Sequence, residues 1–584
     1  MLVFVAGHRT DGPADHQGVT RLLRDTVAAT PFAQQLRVYS WSSASGRVAL
    51  AWAIHDQALL GGVEQVACQE RRMALVAGRP VRWRGPGDAD GREPPHGTAH
   101  LGGILDGLDG RFAVVRAQDD GLEIRTDVLG AYPVYATTAA DGTWWASGLA
   151  GVLEPLAADG AIDERSLASL LVCGWPLDGQ PWVRGVRRLP RGATVCLAPD
   201  GRRSVIAAPE RQDALALLGG TSPADGAARD LVASVRALAD WPGRPSMVPV
   251  TGGRDSRVIL AAALASGISF EALTAGGDEQ ADVRIGRELC AVAGIAHRQF
   301  VPPGGRWLGT DPQLAVELTR LRGGTISVAD GAGFAVLPAD GPLALWHSGQ
   351  GGEIARGHYG RGRGSALAVR AALGAQLTGW RPWRPLPLTG AARASVRAAL
   401  REWADEWQEQ GAAPADLPQL AYVDLRMGFW AGASHGAVEW TRDTTSPLWS
   451  WKLLAPMLAG SIAERHAETL HRRVVALLAP QLSGVPFEDG ATWAHEGPPI
   501  QRPAAVAAAP GNTDGDAVAP RTFPEVQGLA RAGLATADGV ARVVDRRRAQ
   551  RLLATPEAEL DWRRRSWVWN LLTAAGPGRP AGRT

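Results

Sequence analysis

Hydrophobic and polar positions divide the chain into stretches of different rhythm. In residues 1–205, short apolar runs alternate with polar turns. Gly110-Arg-Phe-Ala-Val-Val-Arg-Ala117 and Leu122-Glu-Ile-Arg-Thr126 flank Asp119-Asp-Gly121, which predicts a hairpin, and further strands are expected at 133–137 and 143–147. After a weak linker at 206–212, residues 213–480 change period. Ser222-Pro223 opens a helix with Leu231, Val232, Val235 and Leu238 at helical spacing. Strands at 248–250, 270–274, 297–301 and 343–347 then alternate with helices starting at Ser256 and spanning 282–293 and 313–321, the pattern of a parallel α/β sheet. From Trp380 the reading is helical, with helices at 395–410 and 417–430. In residues 481–584, the Pro/Ala/Gly-rich stretch 497–524 reads as a disordered connector or mobile loop, 526–553 and 556–572 as helical, and 576–584 as a disordered tail.

Two loops in the alternating region carry the chemistry. Val248-Pro-Val-Thr251-Gly252-Gly253-Arg254-Asp255-Ser256 runs from a strand through small and hydroxyl residues into a helix. Backbone N–H groups at Gly252 and Gly253, hydroxyls at Thr251 and Ser256, and a helix N-terminus suit a pyrophosphate group. Asp255 would repel phosphate unless a cation lay between them, so it argues for magnesium. The alternative is an ordinary strand-to-helix turn capped by Asp255 or Ser256. Ser348-Gly349-Gln350-Gly351-Gly352-Glu353 ends a later strand of the same sheet and holds one carboxylate, which makes Asp255 and Glu353 a candidate magnesium pair. Thr274-Ala-Gly-Gly277 would border the nucleotide or form a plain turn.

Composition narrows the classes. A formal charge of +2 gives no reason to expect nucleic acid, and no apolar run is long enough for a membrane span or a signal peptide. Cys68, Cys173, Cys196 and Cys290 have no metal spacing and read as buried small hydrophobes of a reduced, cytoplasmic protein. Lys452 is the sole lysine among 61 basic Lys and Arg residues, the mark of a GC-rich genome. Trp380, Trp383, Trp403, Trp407, Trp430, Trp440, Trp449 and Trp451 offer platforms for a bulky substrate, with core packing as the default for most.

The first loop resembles the Ser-Gly-Gly-x-Asp-Ser pyrophosphate loop of the asparagine synthetase B superfamily. The second is similar to that family's Ser-Gly-Glu-Gly-x-Asp-Glu loop, with Glu353 in place of the metal-binding aspartate and Ile354 in place of the next glutamate. Gln350 stands where asparagine synthetases carry glutamate and β-lactam synthetases tyrosine, and an amide cannot act as a base. Upstream, Leu108-Asp-Gly-Arg-Phe-Ala-Val114, Asp127-Val-Leu-Gly-Ala-Tyr-Pro-Val-Tyr135, Ala146-Ser-Gly148 and Gly185-Val-Arg-Arg-Leu-Pro-Arg-Gly192 resemble the family's glutaminase-like domain. Tyr422-Val-Asp424-Leu-Arg426 resembles its Tyr-x-Asp-x-Lys/Arg helix.

The resemblance implies an α/β fold: an N-terminal glutaminase-like (Ntn) α+β sandwich over 1–205, a parallel-sheet ATP-pyrophosphatase synthetase domain over 213–480, and helical additions. It also implies ATP and Mg2+, bound by Thr251, Gly252, Gly253, Asp255, Ser256, Thr274, Gly349 and Gly351. The family's late basic residue would be Lys452 or, preferred here, Arg472 or Arg473. Glutamine-hydrolysing relatives begin Met-Cys-Gly, whereas this sequence begins Met1-Leu2-Val3, so no glutaminase activity is expected. The expected activity is AMP-forming amide ligation, foremost the closure of a macrolactam between a precursor peptide's N-terminal amine and an Asp or Glu side chain, as in lasso peptide cyclases, with a leader peptidase as a further partner. An intermolecular amidation ligase and a non-catalytic peptide- or nucleotide-binding scaffold are the alternatives.

Overall fold

The computed structural model describes residues 2–30, 36–55, 66–69, 71–82, 108–207, 214–218, 223–239, 245–300, 316, 319–328, 344–360, 362–378, 386–439, 443–493 and 523–575. The expected helix at 313–321 and the stretches at 497–524 and 576–584 lie wholly or mostly outside these residues, as do Trp380, Trp383 and Trp440.

The described residues form a mixed α/β structure with two antiparallel sheets and one parallel sheet. The first antiparallel sheet is ordered Arg187–Arg188, Tyr135–Thr138, Trp144–Ser147, Leu2–His8, Val48–His55, Leu36–Ser42. The second is ordered Arg203–Ala207, Ala193–Leu197, Gly121–Thr126, Leu108–Gln118, Arg72–Arg82, Val66–Gln69. Period-two alternation decides how they stack. In Val48–His55, Val48, Leu50, Trp52 and Ile54 fill the space between the two sheets, while Ala49, Ala51 and Ala53 face a helical layer. Alanines there let the helix His16–Ala28 lie close, with Val19, Leu23 and Val27 packed inward. Leu2 is buried between the sheets, and its carbonyl accepts from Tyr132 Oη at 3.1 Å.

The parallel sheet is ordered His297–Phe300, Phe270–Ala275, Ser246–Pro249, Leu345–His347, Asp443–Thr445. Asp443–Thr445 lies in the region whose sequence predicts helix, and the sheet gains it as a fifth strand. Asp443 holds it against the first half through a buried pair with Arg79 at 2.5 Å.

Other expectations shift in detail. The stretch 526–553 is three helices, Phe523–Thr536, Asp538–Val543 and Arg546–Ala554, because Asp545 starts a new one by accepting from Arg548 N at 3.1 Å. The stretch 556–572 is a short 3-10 turn followed by the helix Trp562–Ala575. The predicted helix 417–430 is α-helical only over Leu417–Ala421 and continues as a π-helix over Tyr422–Ala431. Residues 206–207 belong to an edge strand. Of the cysteines only Cys290 is buried, and Cys68 is exposed.

Segments resembling the glutaminase-like domain tie the halves together. Asp109 accepts from Trp451 N at 2.8 Å, and Arg111, fully buried, pairs with Glu439 and donates to Ala131 O at 3.1 Å. Arg188 donates to Gly428 O at 2.8 Å, and Arg191 to Asp424 at 2.6 Å. Asp127, whose carboxyl burial pushes up to about 6, accepts from Ala131 N and Tyr132 N, each at 2.8 Å. The helices of 523–575 share a core with residues of the first half, and Asn570 donates to Leu171 O at 3.2 Å.

Candidate active site

The winding of the parallel sheet reverses beside Ser246–Pro249. The chain passes from this strand to Phe270–Ala275 on one side and later returns to Leu345–His347 on the other. Loops leaving the carboxyl ends of adjacent strands at such a point border a crevice. Here they border a cleft of about 430 Å³, lined in part by Thr251, Gly253, Asp255, Ser256, Thr274, Ser348, Gly349, Gln350 and Glu353. Gly252 and Gly351 are buried in the same two loops without lining the cleft. Glycine is needed where the loops touch. A Cβ at Gly349 would lie 2.8 Å from the Asp255 carbonyl carbon, and one at Gly352 would lie 2.5 Å from Asp255 Oδ1.

The first loop is more self-contained than an open anion cradle. Thr251 N donates to Ser256 Oγ at 3.3 Å, Gly252 N to Asp282 Oδ1 at 2.7 Å, and Gly253 N to Thr251 Oγ1 at 3.1 Å. The backbone donors expected to meet phosphate are therefore turned onto side-chain oxygens, and Asp282 is a cleft residue that the motif did not reveal. No side chain caps the N-terminus of the helix Arg254–Ser266. Thr274 is buried; its hydroxyl bonds Val250 O and lies 2.9 Å from His297 Nε2, so it braces three strands while lining the cleft.

Asp255 is the electrostatic centre. Arg356 grips it with two bonds, Nε to Oδ1 at 2.9 Å and Nη2 to Oδ2 at 2.6 Å, and His471 Nε2 lies 2.9 Å from Oδ1. Since a carboxylate only accepts, Nε2 carries the proton in this contact. Burial opposes ionisation, but His471 and Arg356 outweigh it and hold the Asp255 carboxyl below its ordinary value. Glu353 goes the other way: burial, and then the charge of Asp255, push its carboxyl up. Its Oε2 accepts from Gly351 N at 3.0 Å.

The cation beside this cluster is thus Arg356, with His471 next to it. Lys452 and Arg473 are exposed, Arg472 is half-buried, and none of the three lines the cleft. The pattern of the helix Thr469–Leu478 explains this. His471, Val474 and Val475 occupy the i, i+3, i+4 positions of its buried face, which turns Arg472 and Arg473 away.

Arg254 pairs with Glu468, which sits at φ 55° and also accepts from Trp493 Nε1 at 2.9 Å. Buried Arg257 lies over the Phe487 ring at 3.9 Å and donates to Val485 O at 2.6 Å. These contacts fasten residues 480–493 onto the helix that carries Asp255.

The cleft is also lined by Trp346, Trp430, Ser434, His435 and Thr444. Trp430 comes from the π-helix, a rare form enriched at functional sites, and the Arg426 guanidinium lies 3.3 Å from its ring centroid. Gln350 Oε1 and Trp430 Nε1 are buried atoms with no hydrogen-bond partner among the described residues. Of the other tryptophans, Trp403 and Trp407 donate to Asp424, at 3.2 and 2.7 Å, and Trp449 is core.

No group of three or more His, Cys, Asp or Glu side chains forms a metal site among the described residues. Asp255 and Glu353, which share the cleft and feel each other's charge, are the residues that could hold one hard cation. A cation beside Glu353 would offset the burial and the Asp255 charge that together push its carboxyl up. Magnesium commonly takes one or two carboxylates and completes its shell with water and substrate phosphates.

No family model matches this chain, and no curated protein matches it. Among solved structures it is similar, at 10% identity and a TM-score of 0.24, to an allosteric regulatory enzyme of purine biosynthesis. It is also similar, at 10% identity and a TM-score of 0.22, to the glutamine phosphoribosylpyrophosphate amidotransferase from B. subtilis complexed with ADP and GMP. Each alignment covers 51% of this chain and 65% of the other, so the chain spans just under two thirds of those proteins. Likeness this slight says nothing about the activity of this chain.

Proposed function

We propose that the protein is an ATP-dependent, AMP-forming amide ligase of the asparagine synthetase type, and that its reaction closes a macrolactam between a peptide's N-terminal amine and an Asp or Glu side chain. The observation that carries this reading is the meeting of two glycine-rich loops, each with one carboxylate, in a single cleft at the reversal of a parallel sheet. In this reading residues 1–205 are a glutaminase-like (Ntn) sandwich without glutaminase activity. Its role is structural, in keeping with the contacts that Asp109, Arg111, Arg188 and Arg191 make to the second half.

Asp255 and Glu353 would hold magnesium, which when bound would neutralise phosphate charge. Thr251, Ser256 and the helix N-terminus would orient the phosphates. An oxygen of the substrate carboxylate attacks the α-phosphorus of ATP, the bond to pyrophosphate breaks, and an acyl adenylate results. The amine nitrogen then attacks the acyl carbon, the bond to AMP breaks, and the amine's proton leaves to solvent. Gln350 supplies no base, which suits an α-amine: its reference pKa of about 7.7–8.0 leaves a useful fraction neutral near pH 7. An amine held beside the activated carboxyl also gains the effective concentration of an intramolecular reaction.

A second reading, a scaffold that binds nucleotide or peptide without turnover, draws on the internal satisfaction of the Thr251, Gly252 and Gly253 N–H groups. The two separate in one experiment. Linear peptides with a free N-terminal amine and an internal Asp or Glu are incubated with the protein, ATP and Mg2+, and followed by mass spectrometry. Loss of one water, blocked by N-terminal acetylation, supports the cyclase. Trapping of a hydroxamate by hydroxylamine without ring closure favours intermolecular ligation, and ATP binding without consumption favours the scaffold.

A further inference from the structure

A carboxylate offers about four acceptor directions, two on each oxygen. Oδ1 of Asp255 uses both of its own, on Arg356 Nε and His471 Nε2, each at 2.9 Å. Oδ2 uses one, on Arg356 Nη2 at 2.6 Å. A single direction remains, on Oδ2, while the side chain borders the cleft. We propose that Arg356 and His471 are positioning residues that confine Asp255 to one-oxygen contact with a bound cation, and thereby set a preference of the site for magnesium over calcium. This rests on the reading of the cleft as a metal–nucleotide site.

The clamp is anchored on both sides. Arg356 ends the short helix that begins at Glu353, so one turn of chain fixes the second carboxylate and the guanidinium together. His471 lies in the first turn of the helix Thr469–Leu478, and the residue before that helix, Glu468, is held by Arg254 and by Trp493 Nε1. Its left-handed backbone is a conformation that a non-glycine residue keeps only when its surroundings enforce it. Gly352 has no Cβ, which would lie 2.5 Å from Oδ1, so the second loop can pass close beside the clamped carboxylate.

The consequence is one of coordination chemistry. Calcium takes six to eight oxygens at about 2.3–2.6 Å and readily accepts both oxygens of one carboxylate, whereas magnesium demands a near-octahedral shell at about 2.0–2.1 Å. With Oδ1 saturated, Asp255 cannot offer the two-oxygen grip that a larger ion exploits. Removal of the clamp restores that grip.

The test is ATP binding by isothermal titration calorimetry in Mg2+ and in Ca2+, for the wild type, Arg356→Gln, Arg356→Lys, His471→Ala and His471→Gln. The wild type should bind ATP more tightly with magnesium. Arg356→Gln and His471→Ala should move the ratio of the two affinities toward calcium, by roughly tenfold for Arg356→Gln. Arg356→Lys, which keeps the charge, and His471→Gln, which keeps a donor for Oδ1, should each retain more of the preference, whereas the short neutral amide of Arg356→Gln cannot span both oxygens. A merely structural role would weaken binding with both metals alike, so an unchanged ratio in variants that still bind overturns the inference and leaves the nucleotide site standing. If Arg356→Gln does not fold, the His471 pair decides by the same ratio. Wild-type ATP binding that is indifferent to divalent cation would overturn both the metal–nucleotide reading and this inference.

Discussion

Asp255→Asn is the most informative single change, because it removes a charge while keeping the shape. Asparagine keeps one carbonyl oxygen, so of the three contacts to Arg356 and His471 at least one becomes donor against donor and the others lose their ionic character. A hydrogen bond to a charged group contributes about 1.5–3 kcal/mol against about 0.5–1.5 for a neutral one. Breaking a fully buried pair costs about 3–5 kcal/mol. Arg356 and Asp255 keep 21% and 15% side-chain exposure, which discounts that figure for solvent screening, and a loss of about 2–3 kcal/mol is expected. The sign with pH follows from the direction of the shift. The Asp255 carboxyl is held below its ordinary 3.8, so the stability it contributes is fully present above that value and is lost as pH falls through the folded-state value. Urea unfolding followed by tryptophan fluorescence should show the full difference between wild type and variant at pH 7 and a shrinking one in acid. A variant as stable as the wild type at pH 7, or a difference that persists unchanged into acid, would refute the ionic account of this cluster.

Glu353→Gln should have the opposite sign. A carboxyl pushed above its ordinary 4.5 binds more protons folded than unfolded, so stability falls as pH rises from that value and the penalty is complete beyond the folded-state value. The metal-free variant should therefore melt higher than the wild type near neutrality, by about 0.5–2 kcal/mol, and excess Mg2+ should erase that advantage. Incubation with glutamine should release no glutamate above a blank, since the Leu2 side chain has no nucleophilic atom; enzyme-dependent release would reverse the reading of residues 1–205. Gln350→Ala should slow cyclisation only modestly, and the rate should rise with pH through the pKa of the substrate amine. Complete loss of activity, with a pH profile indifferent to that amine, would give Gln350 an essential positioning role.

What could be read from the chain was whatever lay close together along it. The loops at 251–256 and 348–353 announce themselves because strand, glycines, carboxylate and helix are consecutive, and alternation through 248–347 is enough to place them at strand ends of one sheet, while the adjacency of the two strands is seen only in the fold. The clamp was hidden by distance: Arg356 lies 101 positions from Asp255 and His471 lies 216. Arg472 and Arg473 are favoured in the sequence by standing where the resembled family has its late basic residue. The helical stripe His471, Val474, Val475 was the available signal, since it sets the histidine on the buried face and both arginines off it. Asp443–Thr445 escaped because three residues carry too little alternation to mark a strand; its place depends on Arg79, 364 positions away.

The central claim is that this cleft activates a carboxylate with ATP at the α-phosphorus. It is tested most directly by the labelled product formed from α-labelled ATP, Mg2+ and a peptide that the protein cyclises, for the wild type and Asp255→Asn. The wild type should give AMP in step with ring closure, and Asp255→Asn should lose roughly a thousandfold in rate, the several kcal/mol of charge stabilisation that a lost metal ligand removes. Labelled ADP in place of AMP, or undiminished AMP formation by Asp255→Asn, would contradict the account.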